Sequence, residues 1–282
     1  MGVSLLGRLF GRRRAGPAEL SAGDPAAEAL ADEDAGGAVQ APAAAIPGHW
    51  GPARLAQAEA LWGEGFIGPG GPDEIKRLTA PFGLSAAHSL LLVGATIGGA
   101  TRAIAADLGV WVTAYESDPD LAEVAARRLQ RAGAALAKRA TVAIWHPSSP
   151  AFPPAAFHHA LALEVLAGPR RDAVLTAIVR AVKPGGQVMV VQSIDPEAED
   201  GAAIISMLGL LGCDLRVVED ETARHARQVL QGWKLLVRQL RSTRPAAAQA
   251  ATLVAEAEYW LLRLRRIREG RLKLMRWSAI VG

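Results

Sequence analysis

The stretch Ser89–Arg102, SLLLVGATIGGATR, determines how the rest of the chain is organised. Its first five residues form the apolar run that is typical of a strand buried on both faces. Three glycines, Gly94, Gly98 and Gly99, follow before an alanine-rich helical pattern begins. The stretch therefore predicts a strand, a tight glycine turn and a helix, with unpaired backbone N–H groups gathered where a carboxylate or a phosphate binds.

A second strand is predicted at Trp111–Tyr115, and it ends at Glu116. Because the carboxyl ends of parallel strands meet at one edge of a sheet, this carboxylate is expected beside the glycine turn, where it suits the two hydroxyls of a ribose. Two classes of cofactor share that arrangement, and a turn without any ligand also fits the pattern. The dinucleotide fingerprint Gly-x-Gly-x-x-Gly has Thr96 in place of its second glycine here.

Length, charge and cysteine content narrow the class of protein. The chain has 282 residues, half of them apolar, which is enough for one large domain with appendages. Its net charge of +3 gives little reason to expect a nucleic-acid partner. The single cysteine, Cys213, excludes an intramolecular disulfide and a cysteine-based metal site, so we predict no metal and a reducing, cytoplasmic compartment. No apolar run reaches the roughly 20 residues of a membrane-spanning helix.

The N-terminal part differs in composition from the rest. Met1–Phe10 is apolar and is followed by three arginines, the reverse of a secretory signal peptide, so residues 1–14 suit a frayed tail or a weak contact with a membrane surface. Ala15–Pro47 has almost no large apolar residue. We therefore expect a disordered tail and linker over residues 1–48 and one folded domain over residues 49–282.

Strands and helices alternate along the folded part. Further strands are predicted at Thr141–Trp145, Phe157–Val165, Gln187–Val191 after a sharp Lys183–Gly186 turn, Asp214–Val218 and Leu272–Val281. A helical pattern occupies Thr222–Arg268 between the last two strands. The order predicts an α/β fold with a doubly wound, mostly parallel seven-stranded sheet and a helical insert at about residues 222–270.

Four features resemble the class I methyltransferases that use S-adenosylmethionine. They are the glycine turn, Glu116 at the end of the second strand, the Ala151–Phe157 loop and the Lys183-Pro-Gly-Gly186 turn. The resemblance covers about Trp62 to the C-terminus. It implies a Rossmann-like methyltransferase fold, S-adenosylmethionine as cofactor and a small-molecule acceptor.

The segment before the first strand carries a second resemblance. Trp62–Gly71, WGEGFIGPGG, is similar to the N-terminal arm of small-molecule N-methyltransferases that act on phosphoethanolamine or glycine derivatives. In that family the arm closes over cofactor and substrate. The resemblance therefore implies that Phe66 and Ile67 are lid residues.

The resemblance also assigns a cofactor site. It implies that Gly94, Thr96, Gly98 and Gly99 surround the methionine end, that Glu116 holds the ribose, and that Ser117, Asp118 and His146 lie on the adenine side. The chain departs from the family pattern, which has an acidic residue where Leu92 stands, a glycine where Thr96 stands, a carboxylate where His146 stands, and Phe-Asp where Phe157-His158 stands.

Substrate-side groups are expected at the carboxyl ends of the fourth and fifth strands. Glu164, Gln192 and Ser193 occupy these positions, and each also suits a polar strand terminus bonded to a neighbouring loop. Glu164 and His159 are the candidates for a catalytic role, although His159 also suits a packed strand position. His225 is expected on an exposed helix face.

Three classes of function remain open at this point. The first is an S-adenosylmethionine-dependent methyltransferase. The second is a binding or scaffold protein that keeps the fold and has lost catalysis, which the departures at Leu92 and His146 motivate. The third is a nicotinamide-dependent oxidoreductase, for which the terminal strand and the insert are unusual.

Overall fold

The computed structural model describes residues 50–198, 200–240 and 247–282. The tail and linker predicted for residues 1–48, and the membrane contact predicted for residues 1–14, lie outside the described residues. In the part of the chain that is described, no helix combines the length and the apolar character needed to cross a bilayer.

The described residues form a seven-stranded sheet with the strand order β3-β2-β1-β4-β5-β7-β6. The strands are β1 (Ser89–Val93), β2 (Trp111–Glu116), β3 (Ala140–Ile144), β4 (Phe157–Leu163), β5 (Val182–Ile194), β6 (Cys213–Asp220) and β7 (Lys273–Val281). Strands β1 to β5 pair in parallel, whereas β7 pairs antiparallel with β5 and β6. The predicted doubly wound, mostly parallel sheet is therefore confirmed.

Helices connect the strands and precede them. They are α1 (Pro52–Trp62), α2 (Gly71–Thr79), α3 (Gly99–Leu108), α4 (Pro119–Arg131), α5 (Ala134–Arg139), α6 (Arg171–Ala181), α7 (Asp200–Leu210), α8 (Thr222–Leu240) and α9 (Ala247–Arg268). The predicted insert between the last two strands consists of α8 and α9. Helix α5 was not predicted, because its six residues carry no buried side chain and hence no hydrophobic period.

The apolar run of β1 is buried on both faces of the sheet. Leu91 and Val93 belong to the core on one face, and Leu90 and Leu92 belong to the core on the other. All four side chains are fully buried. The strand order changes direction between β1 and β4, which opens a crevice at the carboxyl ends of these two strands.

The strand that contains the Lys183–Gly186 segment begins earlier than the sequence predicted. Its pairing with β4 is interrupted over this segment, because it moves from Phe157 opposite Val182 to His159 opposite Gln187, and Gly185 has a φ of 78°. A Cβ atom on Gly186 would lie 2.2 Å from the carbonyl oxygen of His158, so this position requires glycine. The four residues of the predicted turn lie inside the strand, and its regular pairing with β4 begins after them, at Gln187.

Candidate functional site

The glycine turn ties three strands together at the top of the sheet. Gly94 has a φ of 89°, and its N–H donates to the carbonyl of Tyr115 at 2.9 Å. A Cβ atom on Gly94 would lie 2.3 Å from the carbonyl oxygen of Leu163 at the end of β4. Glycine is therefore required here both for the backbone angle and for the close approach of β4.

The next two glycines are bonded within the protein, and Gly99 packs against the N-terminal arm. The N–H of Gly99 donates to the carbonyl of Gly65 at 2.9 Å, and the N–H of Gly98 donates to Ala95 at 3.0 Å. A Cβ atom on Gly99 would lie 2.3 Å from the Gly65 oxygen. Both N–H groups thus have partners within the protein, and a cofactor contact by Gly98 and Gly99 stays a prediction.

Glu116 joins the two loops at the carboxyl ends of β1 and β2. Its Oε2 accepts the N–H of Thr96 at 2.7 Å, and its Oε1 accepts the N–H groups of Ser117 at 2.8 Å and Asp118 at 3.1 Å. Burial raises the pKa of this carboxyl group, while the three backbone N–H bonds act in the opposite direction. The carboxylate lies beside the glycine turn, where the sequence predicted it.

Thr96 adopts a backbone conformation that disfavours its side chain. Its φ is 50°, in the left-handed region where a β-branched residue is a genuine outlier. The residue lines a cavity at the carboxyl ends of β1 and β4, and its N–H donates to the Glu116 carboxylate. Strain of this kind persists when the surrounding bonds determine the turn, and it occurs frequently at functional sites.

A cavity of about 410 Å³, the main cavity of the crevice, lies between the glycine turn, the arm and the helical insert. Gly94, Thr96, Leu163 and Glu164 line it on the sheet side. The part of the chain from Trp50 to α2 contributes Trp50, Arg54, Phe66, Ile67, Gly68, Pro69, Gly71, Glu74, Ile75 and Leu78. The remaining residues are Ala100, Val191, His225, Gln228, Glu256, Tyr259, Trp260, Arg263 and Leu274. The volume is in the range of small-molecule sites.

Comparison with solved structures identifies the fold. No family model and no curated protein matches the sequence. A structure of phosphoethanolamine N-methyltransferase 2 from Haemonchus contortus with S-adenosylmethionine superimposes with a TM-score of 0.70 at 20% identity. The match covers 80% of this chain and 56% of that chain, so this chain spans little more than half of that protein's length.

Two further structures share the architecture over most of their own length. Geranyl diphosphate C-methyltransferase from Streptomyces coelicolor, with S-adenosylhomocysteine bound, has a TM-score of 0.54 at 13% identity, covering 74% of this chain and 77% of that chain. The cyclase SpnF has a TM-score of 0.63 at 20% identity, covering 82% of this chain and 93% of that chain. The chain has the class I methyltransferase fold. Since a cyclase shares it, the fold leaves the reaction to be argued from the site.

The residues predicted for the adenine side lie around Glu116 in this methyltransferase fold, outside the main cavity. The Asp118 carboxylate begins helix α4 by accepting the N–H groups of Asp120 at 2.9 Å and Leu121 at 3.2 Å. Ser117 and His146 are exposed. The backbone of His146 accepts the N–H of Ser149 at 2.9 Å. An adenine contact by these residues stays a prediction.

The predicted substrate-side residues meet in one polar cluster with an arginine that the sequence did not single out for this site. Glu164, Ser193, Arg263 and His225 form this cluster, together with Gln192. Arg263 donates from Nη2 to Glu164 at 3.1 Å and also to Ser193 Oγ, and the N–H of Ser193 donates to Glu164 at 2.8 Å. Gln192 accepts the N–H of Leu166 at 2.7 Å and donates to Glu164 at 3.3 Å.

Glu164 has a strained backbone as well as an ion pair. Its φ of 55° lies in the left-handed region and ends β4 at Leu163, two residues earlier than the sequence predicted. This turn brings the carboxylate to the cavity wall, where it accepts from Arg263. A hydrogen-donating group of a ligand can therefore meet this carboxylate at the cavity wall.

His225 is buried, contrary to the exposed helix position expected from the sequence. It is 6% exposed on α8, and its Nε2 accepts from Arg263 Nε at 3.1 Å. Burial, followed by the charge of Arg263, lowers the pKa of His225 to about 3. The imidazole is therefore neutral, and the bond to Arg263 assigns its proton to Nδ1.

His159, the other candidate catalytic residue, lies away from the cavity. It occupies the amino half of β4, opposite Leu90 and Gln187, whereas the crevice is at the carboxyl ends of the strands. Its ring stacks on Phe82 at 5.1 Å, and its Nδ1 accepts the N–H of Gln187 at 3.2 Å. Burial, with His88 and His158, lowers the pKa of His159 to about 4. The structure thus places His159 away from the cavity, in the packed strand position that the sequence also suited.

Proposed function

We propose that this chain is an S-adenosylmethionine-dependent methyltransferase acting on a small molecule by direct in-line transfer. The observation that carries the proposal is the position of Glu116. Its carboxylate stands at the carboxyl end of β2, next to the glycine turn of β1, and is buried to 6% exposure. A buried acid at this edge of a parallel sheet suits ribose hydroxyls.

The geometry at Glu116 fits the cofactor. Each carboxylate oxygen accepts about two hydrogen bonds. Oε2 accepts the N–H of Thr96, which leaves this oxygen with capacity for a ribose hydroxyl. The methionine end would then lie against Gly94, Thr96 and Leu163, which line the cavity on the sheet side. Ser117, Asp118 and His146 are proposed for the adenine side, and Gly98 and Gly99 for support of the turn.

When bound, the cofactor would supply a methyl group on a sulfonium: the acceptor's lone pair would form a bond to the methyl carbon in line with the C–S bond, which breaks and leaves its electron pair on the thioether sulfur. The chain's own part is to position the acceptor within about 3 to 3.5 Å of that carbon and to keep water out. Phe66 and Ile67 cover the cavity from the arm, and Gln192 and Ser193 fix the polar cluster at its edge. The proton that the acceptor loses passes to solvent at the partly exposed Glu164, whose carboxylate stays paired with Arg263.

The surrounding organisation is part of the proposal. Residues 49–282 would form the methyltransferase domain, with residues 1–48 as its tail and α8 and α9 as the wall of the acceptor site. Two of the similar structures hold phosphomonomethylethanolamine and geranyl diphosphate, which supports a small-molecule acceptor for this chain too. The buried free thiol of Cys213 agrees with the predicted cytoplasmic location.

Calorimetric titration with S-adenosylmethionine and S-adenosylhomocysteine tests the proposal. Glu116→Gln keeps the shape of the side chain but removes its charge, and we expect it to weaken binding by about tenfold to a hundredfold. Glu123→Gln is the matched control, since Glu123 is an exposed glutamate on α4 that pairs with Arg127. A folded protein that binds neither compound would instead support the scaffold alternative with a degenerate cofactor site.

A further inference from the structure

The charged residues of the main cavity neutralise one another in pairs. Of the residues that line it, two are arginines, Arg54 and Arg263, and each is ion-paired with a glutamate that also lines it. Arg54 pairs with Glu256, whose side chain is 2% exposed, and Arg263 pairs with Glu164 at 3.1 Å. A phosphate or carboxylate ligand at either arginine would have to compete with a carboxylate already in place.

The third glutamate of the cavity, Glu74, is neutralised by side chains of α2 and α8. Glu74 accepts from Arg77 at 3.0 Å, from Arg224 at 2.9 Å and from Gln228 at 2.6 Å. Burial works against its ionisation, but the hydrogen bonds from Arg77 and Arg224 hold the pKa of Glu74 below its ordinary value. A cationic ligand would therefore have to compete with the partners that Glu74 already has.

The rest of the cavity wall is apolar and partly aromatic. The aromatic side chains come from the segment before α1, the arm and α9, and the aliphatic ones from the arm, α2 and the sheet. They are Trp50, Phe66, Tyr259 and Trp260, with Ile67, Ile75, Leu78, Leu163, Val191 and Leu274. Trp260 also packs edge-on against Trp62 with ring centroids 4.9 Å apart, which holds the insert against α1. Such walls give affinity to apolar rings.

We propose that the methyl acceptor is an uncharged, predominantly apolar small molecule, of the size of one or two fused rings, with a single polar group. This inference rests on the proposed function, and it adds the class of acceptor. The apolar body lies between the arm and α9, and the polar group lies at the Glu164, Arg263 and His225 cluster. A charged acceptor would have to displace one partner of a partly buried ion pair, and leaving that partner unpaired is costly.

Two naphthalene compounds that differ in one group test this proposal. We expect 2-naphthol, which is uncharged at neutral pH, to bind the full chain at least about tenfold more tightly than 2-naphthyl phosphate, by calorimetry with S-adenosylhomocysteine absent and present. Equal binding, tighter binding of the phosphate, or binding of neither compound would overturn the inference.

A variant that removes the ion-pair partner of one cavity arginine tests whether the pairing is what excludes charged ligands. Glu164→Gln removes the carboxylate that neutralises Arg263, so we expect affinity for 2-naphthyl phosphate to rise by about tenfold, with little change for 2-naphthol. The matched control is Glu123→Gln, which breaks an exposed glutamate–arginine pair outside the cavity. An unchanged affinity of a folded Glu164→Gln protein for the phosphate would contradict the pairing argument.

A further pair of variants locates the ligand. Phe66→Ala shortens a wall residue of the cavity, and Leu210→Ala shortens a leucine that is 83% exposed on α7. We expect the first to weaken 2-naphthol binding by about tenfold and the second to leave it unchanged. If the chain binds 2-naphthol but not S-adenosylhomocysteine, the proposed function is wrong and the acceptor class stands. If it binds S-adenosylhomocysteine but not 2-naphthol, the acceptor class is wrong and the proposed function stands.

Discussion

Arg263 donates from Nε to Nε2 of His225 at 3.1 Å, which joins the two helices of the insert at the cavity wall. The same guanidinium bonds Glu164 through Nη2, so it links the insert to the end of β4. Because His225 accepts this bond, protonating its Nε2 would remove the acceptor and place two cations side by side. The contact between Arg263 and His225 at the cavity wall is therefore lost when His225 is protonated.

The first prediction concerns pH. The pKa of His225 is lowered from about 6.5 to about 3 on folding, so the unfolded chain binds a proton in this interval that the folded chain does not. The free energy of unfolding therefore falls as the pH drops below about 6.5, by up to about 1.4 kcal/mol per pH unit from this group. His225→Gln removes the titrating group and should show a smaller loss.

Urea denaturation of both proteins at pH 7, 5.5 and 4.5 measures the effect. His159 also has a lowered pKa, of about 4, and remains in both proteins, so the difference between the two curves isolates His225. A difference in unfolding free energy that stays constant across the three pH values would contradict the assignment.

A second prediction concerns the contact between the arm and helix α3. Gly99→Ala places a Cβ atom 2.3 Å from the carbonyl oxygen of Gly65, so either the arm or the helix must move. We expect a loss of about 1 to 3 kcal/mol in the free energy of unfolding, together with faster proteolysis within the arm.

Gly209→Ala is the control for this substitution. Gly209 also lies in a helix, and a Cβ atom there would meet nothing within 4 Å. The change should be neutral or stabilising by up to about 1 kcal/mol, because alanine favours helix over glycine. Equal effects of the two substitutions would show that the arm does not depend on a close approach at Gly99.

The third prediction concerns the strained turn at Thr96. Glycine adopts a φ of 50° without cost, whereas alanine keeps most of the strain that threonine bears. Thr96→Gly should therefore be more stable to denaturant than Thr96→Ala by about 1 kcal/mol, with the N–H bond to Glu116 retained in both. If alanine is as stable as glycine at this position, the turn is not held in a left-handed conformation.

Local pattern was sufficient for much of the fold. The Leu90 to Val93 run, with no polar residue, required a strand covered on both faces, and the glycines after it required a turn. The start of β5 was placed too late, at Gln187, because the pairing of Val182 with Phe157 on the other side of the Lys183–Gly186 segment depends on β4. The end of β4 was placed too late, because the left-handed angle at Glu164 ends the strand inside an apolar run that has no turn residue to mark it.

The sequence by itself determined the sheet, the glycine turn and the place of Glu116, because these follow from hydrophobic period and from strand ends that are local in the chain. The tertiary structure alone decided the cavity. Arg54 meets Glu256 and Glu164 meets Arg263 across 202 and 99 positions of sequence, and His225 becomes buried when α8 and α9 fold over the sheet. Ion pairs and burial at such separations depend on how whole elements pack, which residue patterns within one element do not encode.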